Sequence, residues 1–224
     1  MQKITEMEYV IKFPFKGKVL VDVGAHIGSF SAMFLRRGWW AICLEPEKQN
    51  YAVLESNLSG SPRASCLQLA AGEKKASLPF YVSDKHFGIH SLAAWHNTHE
   101  YAYEVEVIPL KEIVPDNVTL LKIDVEGAEL LVLKGFDFEA QQPEMVFLEF
   151  EDKRTREHFG YDHHDLVNYL KPYGYKVKVS EWTDGEFGTK TRNGTRQHIG
   201  IFDYPLDHEP VWGNLIFTKE SNEG

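Results

Sequence analysis

Lys18-Val-Leu-Val-Asp-Val23 and the turn that follows it, Gly24-Ala-His-Ile-Gly28, restrict the possible folds of this chain more than any other segment. After a short polar lead, the first six residues are apolar nearly throughout and end at a glycine, the pattern of a parallel strand buried on both faces. Phe30, Met33 and Phe34 then recur at helical spacing until Gly38 stops the pattern. Strands that alternate with helices in this way predict a parallel sheet with right-handed crossovers.

The unit repeats along the chain. Trp40 to Glu45 is a second strand, and Pro46 and Glu47 open a helix that reaches Leu58. Ala64 to Leu69 supplies a third strand. Val118 to Asp124 resumes the sheet, Ala128 to Leu133 is a helix ending at Gly135, and Met145 to Phe150 is the next strand. A helix from Asp162 to Leu170 stops before Pro172 and Gly174, and Tyr175 to Val179 and Asn214 to Thr218 make two late strands. The rhythm breaks twice. Strand-like stretches at 77–82 and 104–110 flank a polar, histidine-rich segment from Asp84 to Tyr103, and an irregular stretch carries Gly185, Gly188, Gly194, Pro205 and Pro210. With 224 residues, 43% of them hydrophobic and 25% charged, the chain suits a single domain over 1–224. Its cofactor-binding core is expected at 17–150 and its substrate-side loops at 84–103 and 181–212.

Ligands of an open parallel sheet gather at the carboxyl ends of the strands near the switch point, and Asp22, Glu45 and Asp124 fall there. Gly24 and Gly28 let the backbone turn tightly and approach a ligand. Their spacing is Gly-x-x-x-Gly, with His26 where the nicotinamide fingerprint Gly-x-Gly-x-x-Gly has its second glycine. A pyrophosphate therefore lacks its cradle. S-adenosylmethionine carries no phosphate, and its amino and sulfonium cations suit acidic neighbours, so the turn favours the methyl donor. Glu45 stands at the tip of the second strand, where a carboxylate accepts hydrogen bonds from ribose hydroxyls. The plainer alternative is a carboxylate that serves the dipole of the next helix.

Four sets of segments in consistent order carry a family resemblance: Val21 to Gly28; Leu44-Glu-Pro46; Leu121-Lys-Ile-Asp-Val-Glu-Gly-Ala-Glu129 with Leu133-Lys-Gly135; and Leu148-Glu-Phe150. Across residues 17 to 180 the chain resembles the FkbM family of methyltransferases. The resemblance implies an α/β, Rossmann-like class I methyltransferase fold, with a seven-stranded, mostly parallel sheet, helices on both faces and a late antiparallel strand. It implies S-adenosyl-L-methionine as cofactor and O-methylation of a hydroxyl on a small molecule such as a sugar or polyketide. Carried onto this chain, it puts Asp22, Gly24, Ala25, His26 and Gly28 at the methionine end and Glu45 with Pro46 at the ribose. Asn50 and Ala70-Ala71 fall on the helix and the adenine side. The family usually has Asn where this chain has His26.

Asp124 and Glu126 are two apart, so a continuing strand points both to one face beside the sulfonium, and Gly127 then permits the chain to turn. Glu126 and Glu129 are alternatively charges at a helix N-terminus. Methyl transfer to oxygen is an in-line displacement that releases a proton, and Glu126, His90 and His198 are the candidates to accept it. His86, His90, His96 and His99 crowd one segment, but their irregular spacing and the lack of a CxxC pair favour exposed or substrate-facing histidines, and no metal site is assigned. Cys43 and Cys66 read as buried thiols. His163-His164 read as solvated, and metal assistance through Asp124 and Glu149 stays open. Trp182, Arg192, Arg196, His198 and Trp212 form either a lid for a sugar or acidic substrate or an ordinary surface hairpin.

The 33 acidic and 24 basic residues leave a net charge of -9, which disfavours a nucleic-acid partner. No apolar run suits a membrane span or a signal peptide, so a cytoplasmic location is expected. The expected partner is a small hydroxylated acceptor, with a homo-oligomer left open. Two other readings are a nicotinamide-dependent oxidoreductase and a non-catalytic nucleoside-binding module with the same fold.

Overall fold

Residues 4–85, 88–183, 197–210 and 212–219 are described by the computed structural model. His86, Gly185, Gly188, Arg192, Gly194 and Arg196 lie outside the described residues. The short polar lead contains a helix, α1 (Glu6–Lys12), because Thr5 and Glu8 form a reciprocal capping box at its start. The expected alternation follows: β1 (Val19–Val23), α2 (Ser29–Leu35), β2 (Trp40–Leu44), α3 (Lys48–Leu58) and β3 (Ala64–Leu67). Then β4 (Ala70–Ala71), β5 (Ala76–Ser83) and β6 (His99–Ile108) leave the main sheet and pair with one another in the order β4-β6-β5. The chain returns with β7 (Leu120–Ile123), α4 (Glu129–Lys134), β8 (Met145–Glu151), α5 (Asp152–His158), α6 (His163–Leu170), β9 (Lys176–Trp182), β10 (His198–Asp203) and β11 (Trp212–Thr218).

The main sheet runs β10-β9-β11-β8-β7-β1-β2-β3. The five strands from β8 to β3 are parallel, β11 lies antiparallel between β8 and β9, and β10 pairs antiparallel with β9. Eight strands therefore stand among the described residues where seven are expected. The addition is β10, inside the stretch expected to be irregular. It pairs on one side only and exposes Ile199 and Phe202, so no buried face marks it in the sequence.

Side chains alternate across the sheet as the pleat requires. Leu20 and Leu120 pack with Phe34 of α2 and Leu54 and Leu58 of α3 on one face. Val21, Leu121 and Val146 pack with Val132 and Leu133 of α4 and Leu166 and Leu170 of α6 on the other. Cover on both faces explains why these strands read as continuous apolar runs. After β1 the chain moves outward to β2 and β3, then crosses to the opposite side of β1 to lay down β7. The carboxyl ends of β1 and β7 part there, and a crevice opens at the reversal of strand order. Among the described residues no helix is long and apolar enough to cross a membrane.

Candidate active site

The turn after β1 is folded onto the end of β2. Gly24 N and Ala25 N both donate to Leu44 O, at 3.0 and 2.9 Å, and Gly28 N donates to Ala25 O at 2.8 Å. Gly24 has φ +73°, and a Cβ there would stand 1.7 Å from the Asp124 carbonyl oxygen, so only glycine lets the turn meet β7 this closely. His26 also occupies the left-handed region, with φ 51°, and its N–H donates to Glu45 Oε2 at 2.8 Å. Four N–H groups of the turn are thereby engaged within the protein, and a carboxylate faces it. That arrangement suits a cationic, hydroxylated ligand better than a pyrophosphate.

Glu45 is buried at the tip of β2, with Oε1 accepting from Glu47 N at 2.9 Å. Burial pushes its carboxyl up to about 7, against the pull of the Glu47 and His26 N–H groups. Each oxygen keeps a lone pair beyond its backbone bond. The helix-dipole role belongs instead to Glu47, which caps α3 by accepting from Asn50 N at 2.6 Å.

Glu45 borders a cavity of about 270 Å³ that runs along the crevice. One end is apolar and is walled by Pro46, Leu69, Ala70, Ala71 and Phe80, with Asn50 beside them. Ala70 and Ala71 form β4 and Phe80 lies on β5, so the small sheet supplies this wall. Asp124 and Glu126 also line the cavity, as do His90 and Leu92 from the 84–98 segment, with Leu92 packed against Ala70 and Phe80. Of the expected site residues, Gly24, His26, Glu45, Pro46, Asn50, Ala71, Asp124, Glu126 and His90 come together around this one space.

Asp22, Ala25 and Gly28 do not line it. Asp22 lies on the face that carries Leu20, is fully buried, accepts from Ser31 Oγ at 2.7 Å and pairs with Lys122 Nζ at 3.1 Å. The pleat turns its carboxylate into the helix layer rather than toward a ligand. Gly28 caps α2 with φ +83° and packs on Leu54 and Leu58. His198 is likewise away from the cavity: it lies on β10, bonded to Ser180 Oγ at 3.0 Å and against the Trp182 ring.

Lys122 and Arg154 are neighbours of the site that the sequence patterns leave without a role. The buried Lys122 ammonium donates to Gly24 O at 2.6 Å and lies 3.5 Å from Asp124 Oδ2. Burial works against its charge, but Asp22 and Asp124 outweigh that and hold its pKa above the ordinary lysine value. A lysine in register with an aspartate inside two apolar strands is the signal that marks it. Arg154 sits in the charged run from Glu151 to His158, yet its guanidinium is buried. It bridges Glu126 and Glu149 and faces the Trp95 ring at 5.1 Å.

Glu126 has φ 58°, an uncommon left-handed position for a side-chain-bearing residue. The turn is clamped around it. Glu129 accepts from Val125 N and Gly127 N, Tyr161 OH donates to Gly127 O, and Ser91 Oγ donates to Glu126 O. Asp124, Glu126 and Glu149 converge within 4.8 Å with one guanidinium between the latter two. Burial and the neighbouring carboxylates push both glutamates up against the pull of Arg154, Glu149 to about 7. His90 has its Nδ1 lone pair engaged by Ser83 N at 3.2 Å, so its Nε2 carries the proton and donates rather than accepts.

The family of the Methyltransferase FkbM domain matches residues 22–177. No curated protein matches the sequence. Among solved structures, the fold is similar to methyltransferase FkbM from Methylobacillus flagellatus KT, with TM-score 0.54 and 20% identity, covering 91% of this chain and 44% of that one. TehB from Haemophilus influenzae follows with TM-score 0.53 and 10% identity over 98% of this chain and 64% of that one. Magnesium protoporphyrin IX methyltransferase from Synechocystis PCC 6803, solved with bound SAM, matches with TM-score 0.50 and 10% identity over 94% of this chain and 74% of that one. The chain thus spans less than half of the first of these proteins, and the likenesses extend to the fold. With its Rossmann-like core and a family match over most of its length, the chain belongs to the FkbM methyltransferase family.

Proposed function

We propose that this chain is an S-adenosylmethionine-dependent O-methyltransferase that acts on a hydroxyl of a small molecule such as a sugar or polyketide. The observation that carries the reading is one cavity lined together by Glu45, the apolar wall of Pro46, Ala70, Ala71 and Phe80, and the carboxylates of Asp124 and Glu126. Glu45 accepts from the ribose hydroxyls, while Pro46, Asn50 and Ala71 border the adenine. Gly24, Ala25, His26 and Gly28 shape the turn, and Asp124, 42% exposed at the cavity edge, faces the amino group. Asp22 acts at one remove, by fixing Lys122 and through it the Gly24 carbonyl. The cofactor, when bound, supplies a methyl group on a sulfonium centre.

Glu126 is the proton acceptor in this reading. A carboxylate raised toward neutrality by burial is a stronger base than an exposed one, and Arg154 holds it in place. His90 faces the same space as a donor and orients the acceptor hydroxyl. His198 has no part in the step, because its bond to Ser180 and its position on β10 keep it from the cavity. The engaged N–H groups of the turn weigh against a nicotinamide pyrophosphate, as does family membership. A binding module without turnover is distinguished by assay.

Isothermal titration with S-adenosylmethionine and with its demethylated product tests the cofactor: both bind a folded sample, and failure of both overturns the reading. A mass-shift screen over hydroxylated sugars, polyketides and peptides tests the acceptor, and transfer only to nitrogen or carbon overturns the oxygen assignment.

A further inference from the structure

Away from the cavity, α6 opens on two adjacent histidines whose ring planes lie against each other, with centroids 4.0 Å apart and 37° between planes. Each ring is fixed at Nδ1. Asp152 Oδ2 lies 2.7 Å from His163 Nδ1, and Asp152 Oδ1 accepts from the His163 backbone N–H at 2.8 Å. Tyr204 OH lies 2.7 Å from His164 Nδ1. A carboxylate can only accept, so Asp152 keeps the proton on His163 Nδ1 and leaves a lone pair on Nε2.

Both Nε2 atoms face the Glu209 carboxylate in the segment before β11. Glu209 Oε2 is 3.4 Å from His164 Nε2 and 4.0 Å from His163 Nε2, and the three atoms lie within 4.8 Å of one another. Two imidazoles and one carboxylate, with the imidazoles oriented by a carboxylate and a hydroxyl, are the donor set and outer shell of a transition-metal site. At zinc–ligand distances of about 2.0–2.1 Å, tetrahedral ligand atoms stand roughly 3.3 Å apart. The His164–Glu209 separation already matches, and Glu209, with 69% of its side chain exposed, is free to close on His163.

We propose that His163, His164 and Glu209 bind a first-row divalent metal ion of the zinc class, with a fourth position open to water. Imidazole ligands select such an ion over magnesium or calcium, which take oxygen donors. Asp152, Asp162 and Glu209 outnumber Arg156, which pairs with the first two, so the surroundings are net negative. Asp162 and Asp165 form the capping box of α6 and offset the positive end of the helix. The ion clips the segment carrying Tyr204 and Glu209 to the start of α6, and its chemistry is independent of the methyl-transfer cavity.

The test uses tag-free protein stripped with a chelator and then dialysed free of it. Zinc is titrated in competition with a chromophoric chelator, and cobalt is followed by its visible ligand-field bands. The expected result is one equivalent bound, with a zinc-dependent rise in melting temperature. His164→Ala and Glu209→Gln should each weaken binding by more than the roughly 10–100-fold typical of outer-shell losses, and should abolish the cobalt bands. Both side chains are largely open, at 44% and 69% exposure, so both variants should melt like the wild type in chelator. No stoichiometric binding to the folded wild type overturns the proposal, as does binding unchanged in the double variant, which would put the ion at other histidines.

Discussion

The Lys122 ammonium lies 3.1 Å from the Asp22 carboxylate, across two parallel strands whose register sets the two residues side by side. Lys122 also bonds the Gly24 carbonyl, so one buried cation ties the glycine turn to the strand that carries Asp124. Lys122→Met leaves the Asp22 charge buried without its counter-ion, which should cost about 3–5 kcal/mol of stability in urea unfolding. Adding Asp22→Asn should recover most of that loss. A double variant as unstable as the single one would refute the pairing as its source.

Glu45 gives the apo protein a defined pH response. Its carboxyl stands at about 7 in the fold against an ordinary 4.5, so the folded state holds this proton more tightly than the unfolded chain does. The associated stability is fully present below about pH 4.5 and is lost as pH rises through about 7, amounting to no more than about 3 kcal/mol. Glu149 contributes in the same direction. Melting temperature without ligand should fall between about pH 5 and pH 8, and Glu45→Gln should flatten part of the fall. Ligand hydroxyls favour the ionised form, so calorimetric affinity for an adenosine-bearing ligand should rise with pH toward 7 and then level off.

Gly24 and Gly38 separate two causes of a glycine requirement. Both have φ near +80°, but a Cβ at Gly38 meets nothing within 4 Å, whereas one at Gly24 strikes the Asp124 carbonyl. Gly38→Ala should cost about 1–2 kcal/mol for the backbone alone. Gly24→Ala should cost more and should also weaken cofactor binding. Equal losses in denaturant titration would dismiss the close approach as the reason for Gly24.

At position 26 the backbone enters the left-handed region, where His and Asn are among the few side-chain-bearing residues enriched. His26→Asn should therefore change stability by no more than about 0.5 kcal/mol, while the β-branched His26→Val should lose about 1–3 kcal/mol. A tolerated valine in thermal melts would count against the backbone explanation.

Glu126→Gln should lower kcat by roughly 10²–10⁴-fold with little change in cofactor affinity. Arg154→Met removes the counter-ion shared by Glu126 and Glu149, so the acid limb of the rate profile should move to higher pH. An unmoved limb would detach Arg154 from the base.

The first half of the sheet was legible because β1, α2, β2 and α3 each carry a complete local signal: apolar run, glycine turn, helical period, cap. Glu45 was legible by its place at a strand tip. Asp22 was not, because the same strand tip offers two directions, and the pleat sends Asp22 into the helix layer beside Lys122. Arg154 could not be read at all. Its neighbours Lys153 and Glu157 are exposed, and the packing of α5 against the end of β8 buries Arg154 together with Asp152 inside a charged run. The strand β10 and the separate three-stranded sheet depend on pairing between distant segments, which no local pattern records.

The cavity is framed by β1 and β7, and Leu20 pairs with Leu120 across a separation of 100 residues. Between them the chain must complete two crossovers and an inserted sheet before that pairing can close. Closure of so long a loop is entropically costly and kinetically slow, so the two walls meet late in folding. A chain released after β3 holds the glycine turn and Glu45 but only half a pocket, and ligand affinity should arise in a single step when β7 docks.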